Sequence, residues 1–131
     1  MECWKQLSKH YARQKNESAA RLRVRSADAE KIAAGRYTIY DFAENAFSFS
    51  PAKRALAIQV LSALRERPRS FAELAAEFSV PKSTLFLLAT ALQESGLVKQ
   101  NARGGPLELS TEFADALRAN AEWWLKWSKK K

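Results

Sequence analysis

Little in this chain can form a covalent or metal cross-link. Cys3 is the only cysteine and His10 the only histidine, so no internal disulfide and no multi-ligand Cys/His metal site is expected. Cys3 has no resolving partner nearby in sequence and reads as an inert thiol, and His10 reads as a surface or interface residue. Hydrophobic runs are also short. None approaches the ~20 apolar residues of a membrane span, and the opening MECWKQLSKHYARQK lacks the apolar core of a secretion signal. A reducing, cytoplasmic setting is expected, with no export and no membrane crossing. Internal repeats and low-complexity linkers are lacking. The acids Asp41, Glu44, Glu73 and Glu77 have neither a companion nucleophile nor metal-site spacing, and no glycine loop could cradle a phosphate. The expectation is therefore a protein that is not an enzyme and carries no cofactor.

What is present suits one compact domain with appendages. The 131 residues suffice for a hydrophobic core without staples, and 47% hydrophobic residues exclude a disordered chain. A net charge of +8 favours a polyanionic partner such as nucleic acid. That charge is unevenly spread. Residues 1–36 carry nine Lys/Arg against four acids, residues 37–69 five against three, residues 70–98 one against three, and residues 99–131 seven against four. The segment 70–98 is thus slightly acidic, and the flanks supply the positive field.

Along the chain, Trp4, Leu7 and Tyr11 fall at helical spacing and give way to Arg21, Arg23 and Arg25, either an arm that tracks phosphates or a solvated connector. A short helix is predicted from Ser26 through Ala33, ended by Gly35. In YTIYDFAENAFSFS, Phe47 and Phe49 alternate with Ser48 and Ser50, which suggests a short strand. Ser50-Pro51 opens a helix to about Arg67, with Leu56, Val60, Leu61 and Leu64 on one face. Ser70 with Glu73 three residues on is a capping-box pattern, and its helix should end near Phe78. A third helix follows from Lys82 to about Ser95, stopped by Gly96. Leu97 to Gln100 and Pro106 to Leu109 can then pair as a hairpin across NARGG. A last helix begins at Ser110, with Phe113, Leu117, Ala121 and Trp124 at helical spacing, and ends in KWSKKK.

The run FAELAAEFSVPKSTLFLLATALQESGLV resembles the helix-turn-helix of bacterial winged-helix regulators of the MarR, ArsR and IclR types. Leu74 and the small Ala75 sit where the first helix faces the second. Ser79 stands at the turn position that often holds glycine, Val80 plugs the corner, and Leu85, Leu88 and Leu92 form the inner face of the second helix. The ending ALQESGLV is similar to the family's run into the wing. The resemblance spans about residues 51–115 and implies a mainly α fold with a small β-hairpin: a winged helix-turn-helix with extra N-terminal and C-terminal helices. Residues 1–49 then form a basic extension, 50–110 the winged domain, and 111–131 a C-terminal dimerisation helix with a basic tail.

The same resemblance implies a partner, double-stranded DNA, with Lys82, Ser83, Thr84, Leu87 and Thr90 facing the major groove and Arg103 at the wing tip in the minor groove. Lys53, Arg54, Arg67 and Arg69 would add backbone contacts. The recognition helix departs from the family in having no central Arg or Lys, so Phe86 and Leu87 face DNA, a protein partner or the core. Trp123, Trp124 and Trp127 carry too much apolar surface for a lone small domain. They pack either on Trp4, Leu7 and Tyr11 or on a second copy, and the resemblance favours a homodimer. An interfacial membrane role for WWLKWSKKK is the weaker reading, since one lysine cluster on a short tail is a poor anchor. The expected function is a sequence-specific transcriptional regulator, a homodimeric repressor or autoregulating antitoxin. The alternatives are a winged-helix protein adaptor and a plasmid or phage DNA-maintenance protein.

Overall fold

The computed structural model describes residues 22–129. The chain divides into two compact units, residues 1–62 and 63–131, and the division falls inside one continuous helix.

In the first unit, helix α1 (Ala27–Ala33) is followed by α2 (Ile39–Ala46) and by the start of α3 (Pro51–Glu66). Thr38 caps α2. Its hydroxyl accepts from the Asp41 N–H while the Asp41 carboxylate accepts from the Thr38 N–H, so two orphan donors are satisfied reciprocally. Lys31 of α1 donates to the same carboxylate at 2.8 Å and joins the two helices. The Lys31 hydrogen bond first, and the Thr38 N–H after it, hold the Asp41 carboxyl down from 3.8 to about 2; Asp41 in turn raises Lys31. Asn45 is buried with its amide satisfied, donating to Asp28 (2.7 Å) and to the Tyr37 hydroxyl (3.1 Å).

The expected strand near Phe47 and Phe49 is reduced to a single β-bridge residue, Phe47. The Thr38–Asp41 box commits residues 39–46 to helix, and only Phe47 and Phe49 remain to alternate inward. Both are buried and stack with ring centroids 5.0 Å apart, with Ser48 and Ser50 exposed between and after them. The alternation thus reports burial correctly but is too short to build a ladder. Ser50 then accepts from the Lys53 N–H at 3.3 Å with Pro51 at the first helical position, and Leu56, Ala57, Val60 and Leu61 are buried along α3.

The second unit holds the end of α3, then α4 (Phe71–Phe78), α5 (Lys82–Glu94), the strands β1 (Val98–Gln100) and β2 (Leu107–Leu109), and α6 (Glu112–Ser128). The Ser70–Glu73 capping box is present in both directions. The chain leaves α4 through Ser79, which takes the left-handed conformation (φ 52°, ψ 49°) and lets the Val80 N–H reach the Ala75 carbonyl. Leu74 of α4, Leu85 and Leu92 of α5, and Val98 and Leu107 of the hairpin are almost wholly buried and form the core of this unit. Gly96 (φ +83°) ends α5; an added Cβ there would lie 2.8 Å from the Phe113 backbone nitrogen, whose N–H donates to the Gly96 carbonyl. Glycine is required there both by torsion and by space.

The strands pair antiparallel, Val98 with Leu109, Lys99 with Glu108 and Gln100 with Leu107. The Arg69 peptide exchanges two hydrogen bonds with Leu107, at 3.0 and 2.8 Å, and so ties the hairpin to the approach to α4. Helix α6 has no buried residue in its 17-residue length.

Candidate nucleic-acid interface

Helices α4 and α5, the Ser79–Pro81 turn between them and the β1–β2 wing all belong to the second unit. The inner face of α5 is set by Leu85, Leu88, Ala89 and Leu92, all buried. That leaves its opposite face to solvent. Lys82 and Ser83 are exposed in its first turn, Thr84 and Thr90 are half-buried, and Phe86 and Leu87 are each 60% exposed. Pro81 caps α5 without any side-chain hydrogen bond, and the first turn contains no acid. The positive end of the helix dipole and its orphan N–H groups are therefore left for an external anion.

Thr90 is less available than the sequence suggests, and Phe86 is more available. The Thr90 hydroxyl donates to the Phe86 carbonyl at 2.9 Å, which spends its one proton inside the helix. Phe86 does not complete the core, as its ring leans on Phe71 at a centroid distance of 6.1 Å while remaining mostly exposed.

The wing presents Arg103 at its exposed tip. Its turn is braced: the Gly105 N–H donates to Ala102, the Gln100 amide to the Gly105 carbonyl at 2.6 Å, and the Asn101 amide to Glu108 at 2.8 Å. Lys99 lies 3.6 Å from the same Glu108 carboxylate across the hairpin.

Arg69, expected to contact the DNA backbone, is instead engaged within the protein. Its side chain is only 9% exposed and its guanidinium donates to Glu66 at 3.1 Å and to Glu77. Arg67, more exposed, pairs with Glu73 at 3.2 Å; the Ser70 N–H first, and Arg67 after it, lower the Glu73 carboxyl. Glu73 and Glu77 keep about half their side-chain surface in solvent, yet each is answered by an arginine. The acidity of residues 70–98 is thus largely cancelled by two cations just upstream of them. Sequence counting by segment divided these pairs; the Glu66/Arg69 spacing of three was the visible hint.

Of the remaining candidates, Lys53 is exposed in the first turn of α3. Arg23, Arg25 and Arg54 line one cleft of the first unit. Arg21, with Trp4, Leu7 and Tyr11, lies outside the described residues. On α6, Trp123, Trp124 and Trp127 are 61%, 55% and 64% exposed and stack on one another at 5.5–6.0 Å. Among the described residues, no helix is long and apolar enough to cross a membrane, and no three of His, Cys, Asp and Glu are grouped to hold a metal ion.

A short helix, a tight turn, a second helix with a solvated outer face and an adjoining antiparallel hairpin together define a winged helix-turn-helix, a DNA-binding class of regulatory domain. More narrowly, residues 54–102 match the model of the IclR helix-turn-helix domain family. No curated protein and no solved structure matches the chain.

Proposed function

We propose that the protein is a homodimeric transcriptional regulator, without catalytic activity, that binds a short pseudo-palindromic operator and represses from it. The observation that carries this reading is the outer face of α5. An uncapped helix start bearing Lys82 and Ser83 leads directly to an exposed Leu87, with Arg103 at the tip of a braced wing in the same unit. Lys82 and the first-turn N–H groups contact phosphate. Ser83 bonds a base edge, Leu87 meets a thymine methyl, and Thr84 contributes through its exposed side. With no Arg or Lys in the middle of α5, guanine contacts are few, and an A·T-rich half-site is favoured.

The second element of the proposal is the dimer. Three exposed tryptophans along a helix with no buried residue form an apolar surface that a soluble monomer rarely leaves uncovered. A twofold partner would cover it and set two half-sites about one helical turn, ~34 Å, apart.

Selection of bound duplexes from a random pool tests both points. A palindromic motif with A·T-rich half-sites is the expected result, and Ser83→Ala with Leu87→Ala should relax the selected sequence while leaving fold unchanged. Recovery of duplexes with no shared motif would refute sequence-specific regulation.

A further inference from the structure

The first unit contains a cleft that the DNA-binding reading does not use, and we infer that it binds a phosphorylated small molecule, a dianionic phosphate monoester. It is a half-open cleft of about 650 Å³, within the ~300–1,000 Å³ of small-ligand sites. Arg23, Arg25 and Arg54 line it together with Glu44, Asn45 and Phe47.

Charge decides the ligand's sign. Three guanidinium groups face one carboxylate, and none of the three makes an ion pair among the described residues. Of the nearby acids outside the lining, Asp41 is paired with Lys31, and Asp28 accepts from the cleft-lining Asn45 amide. Glu30 does not line the cleft. Among the lining residues three cations against Glu44 leave an excess of two, and counting Asp28 behind Asn45 leaves one, so the cleft is net positive and suits an anionic phosphate monoester. Guanidinium also offers the planar fork that suits phosphate oxygens.

Burial adds to this. The Nε of Arg54 is shielded from solvent and has no acceptor, so part of a charge has been desolvated without compensation from the protein. An anion seated against the outer nitrogens of Arg54 offsets that cost. The Arg23 N–H donates to the Asn45 carbonyl at 2.8 Å, which pins the arginine-bearing segment beside the end of α2. Arg23 is therefore a fixed part of the rim and not the tip of a loose arm. The volume favours a free ester over a duplex backbone. One phosphate fills a small part of the space and the rest takes the organic body of the ester, whereas a backbone phosphate has a sugar on either side and cannot insert that way.

Titration calorimetry on the full chain, with ribose 5-phosphate, adenosine monophosphate and inorganic phosphate at matched ionic strength, tests the inference. At least one ester should saturate at one per chain and bind more tightly than inorganic phosphate. Arg54→Gln and Arg23→Gln should each weaken it tenfold or more, while Arg36→Gln, exposed and away from the cleft, should not. Should Arg54→Gln unfold, the exposed Arg23 and Arg25 carry the same test. Three results would overturn the inference: no saturation by either ester, an equal loss in Arg36→Gln, or an Arg54→Gln protein that loses duplex affinity where no ester binds, which would make the cleft a DNA contact.

Discussion

Arg67, Arg69 and Lys82 are all basic, lie within sixteen positions of one another and have different tasks. Arg69 is held between Glu66 and Glu77, whereas Lys82 projects into solvent from an uncapped helix start. Their substitutions should therefore separate cleanly. Arg69→Met is expected to lower stability by about 1–3 kcal/mol, below the cost of breaking a fully buried pair because both carboxylates stay partly hydrated. It should leave the salt slope of DNA binding unaltered. Lys82→Ala should do the reverse, reducing that slope by about one with no change in unfolding midpoint. A loss of slope in Arg69→Met would mean that its guanidinium does reach phosphate. Sequence reading had no means of separating these residues. Residue type fixes what a side chain can bond to, but the partners of Arg69 come from two different helices, and only their packing brings them to the same guanidinium.

At the scale of elements, the sequence was more legible, because the signals that start and stop helices are local. Ser50-Pro51, the Ser70–Glu73 box, the Ser79 turn and Gly96 all stand at the boundaries expected of them. The strand anticipated at Phe47 and Phe49 shrank to one bridge residue, Phe47, for a related reason: the Thr38–Asp41 box, another local signal, had already claimed the preceding residues for a helix. The junction of α5 and β1 offers a direct test. Gly96→Ala meets both a left-handed torsion and the Phe113 backbone, while Gly35→Ala meets the torsion alone, with nothing within 4 Å. The Gly35 substitution should cost about 1 kcal/mol and the Gly96 substitution clearly more, as read from denaturant midpoints at constant m. Equal costs would show that the α6 start yields freely.

For the whole molecule, the net charge of +8 and the tryptophan-bearing helix point outward, to partners. If α6 joins two copies, Trp124→Ser with Trp127→Ser should convert a dimer to a monomer by light scattering. It should also weaken operator binding strongly while each half-site is still recognised at higher protein concentration. A monomeric parent protein would remove the twofold operator from the proposal. The composition favoured a polyanionic partner, and the resemblance carried by residues 71–98 implied the helix-turn-helix. Neither could show that the acids of the reading segment are answered by Arg67 and Arg69, nor that three arginines of the first unit share a cleft, because both facts depend on neighbours distant in sequence.

The double hydrogen bond between Arg69 and Leu107 has a consequence for how sequence would be recognised. It anchors one strand of the wing, and Gln100, Asn101 and Glu108 stiffen the turn beyond it. A wing tied in this way resists swinging to find a groove, which restrains the offset between Arg103 and the start of α5. On the proposed function, the domain acts as a gauge. Duplexes whose minor groove already lies at that offset fit without deformation, and those that must be bent or twisted to comply pay in elastic energy. Selectivity would then extend to base pairs that no side chain touches.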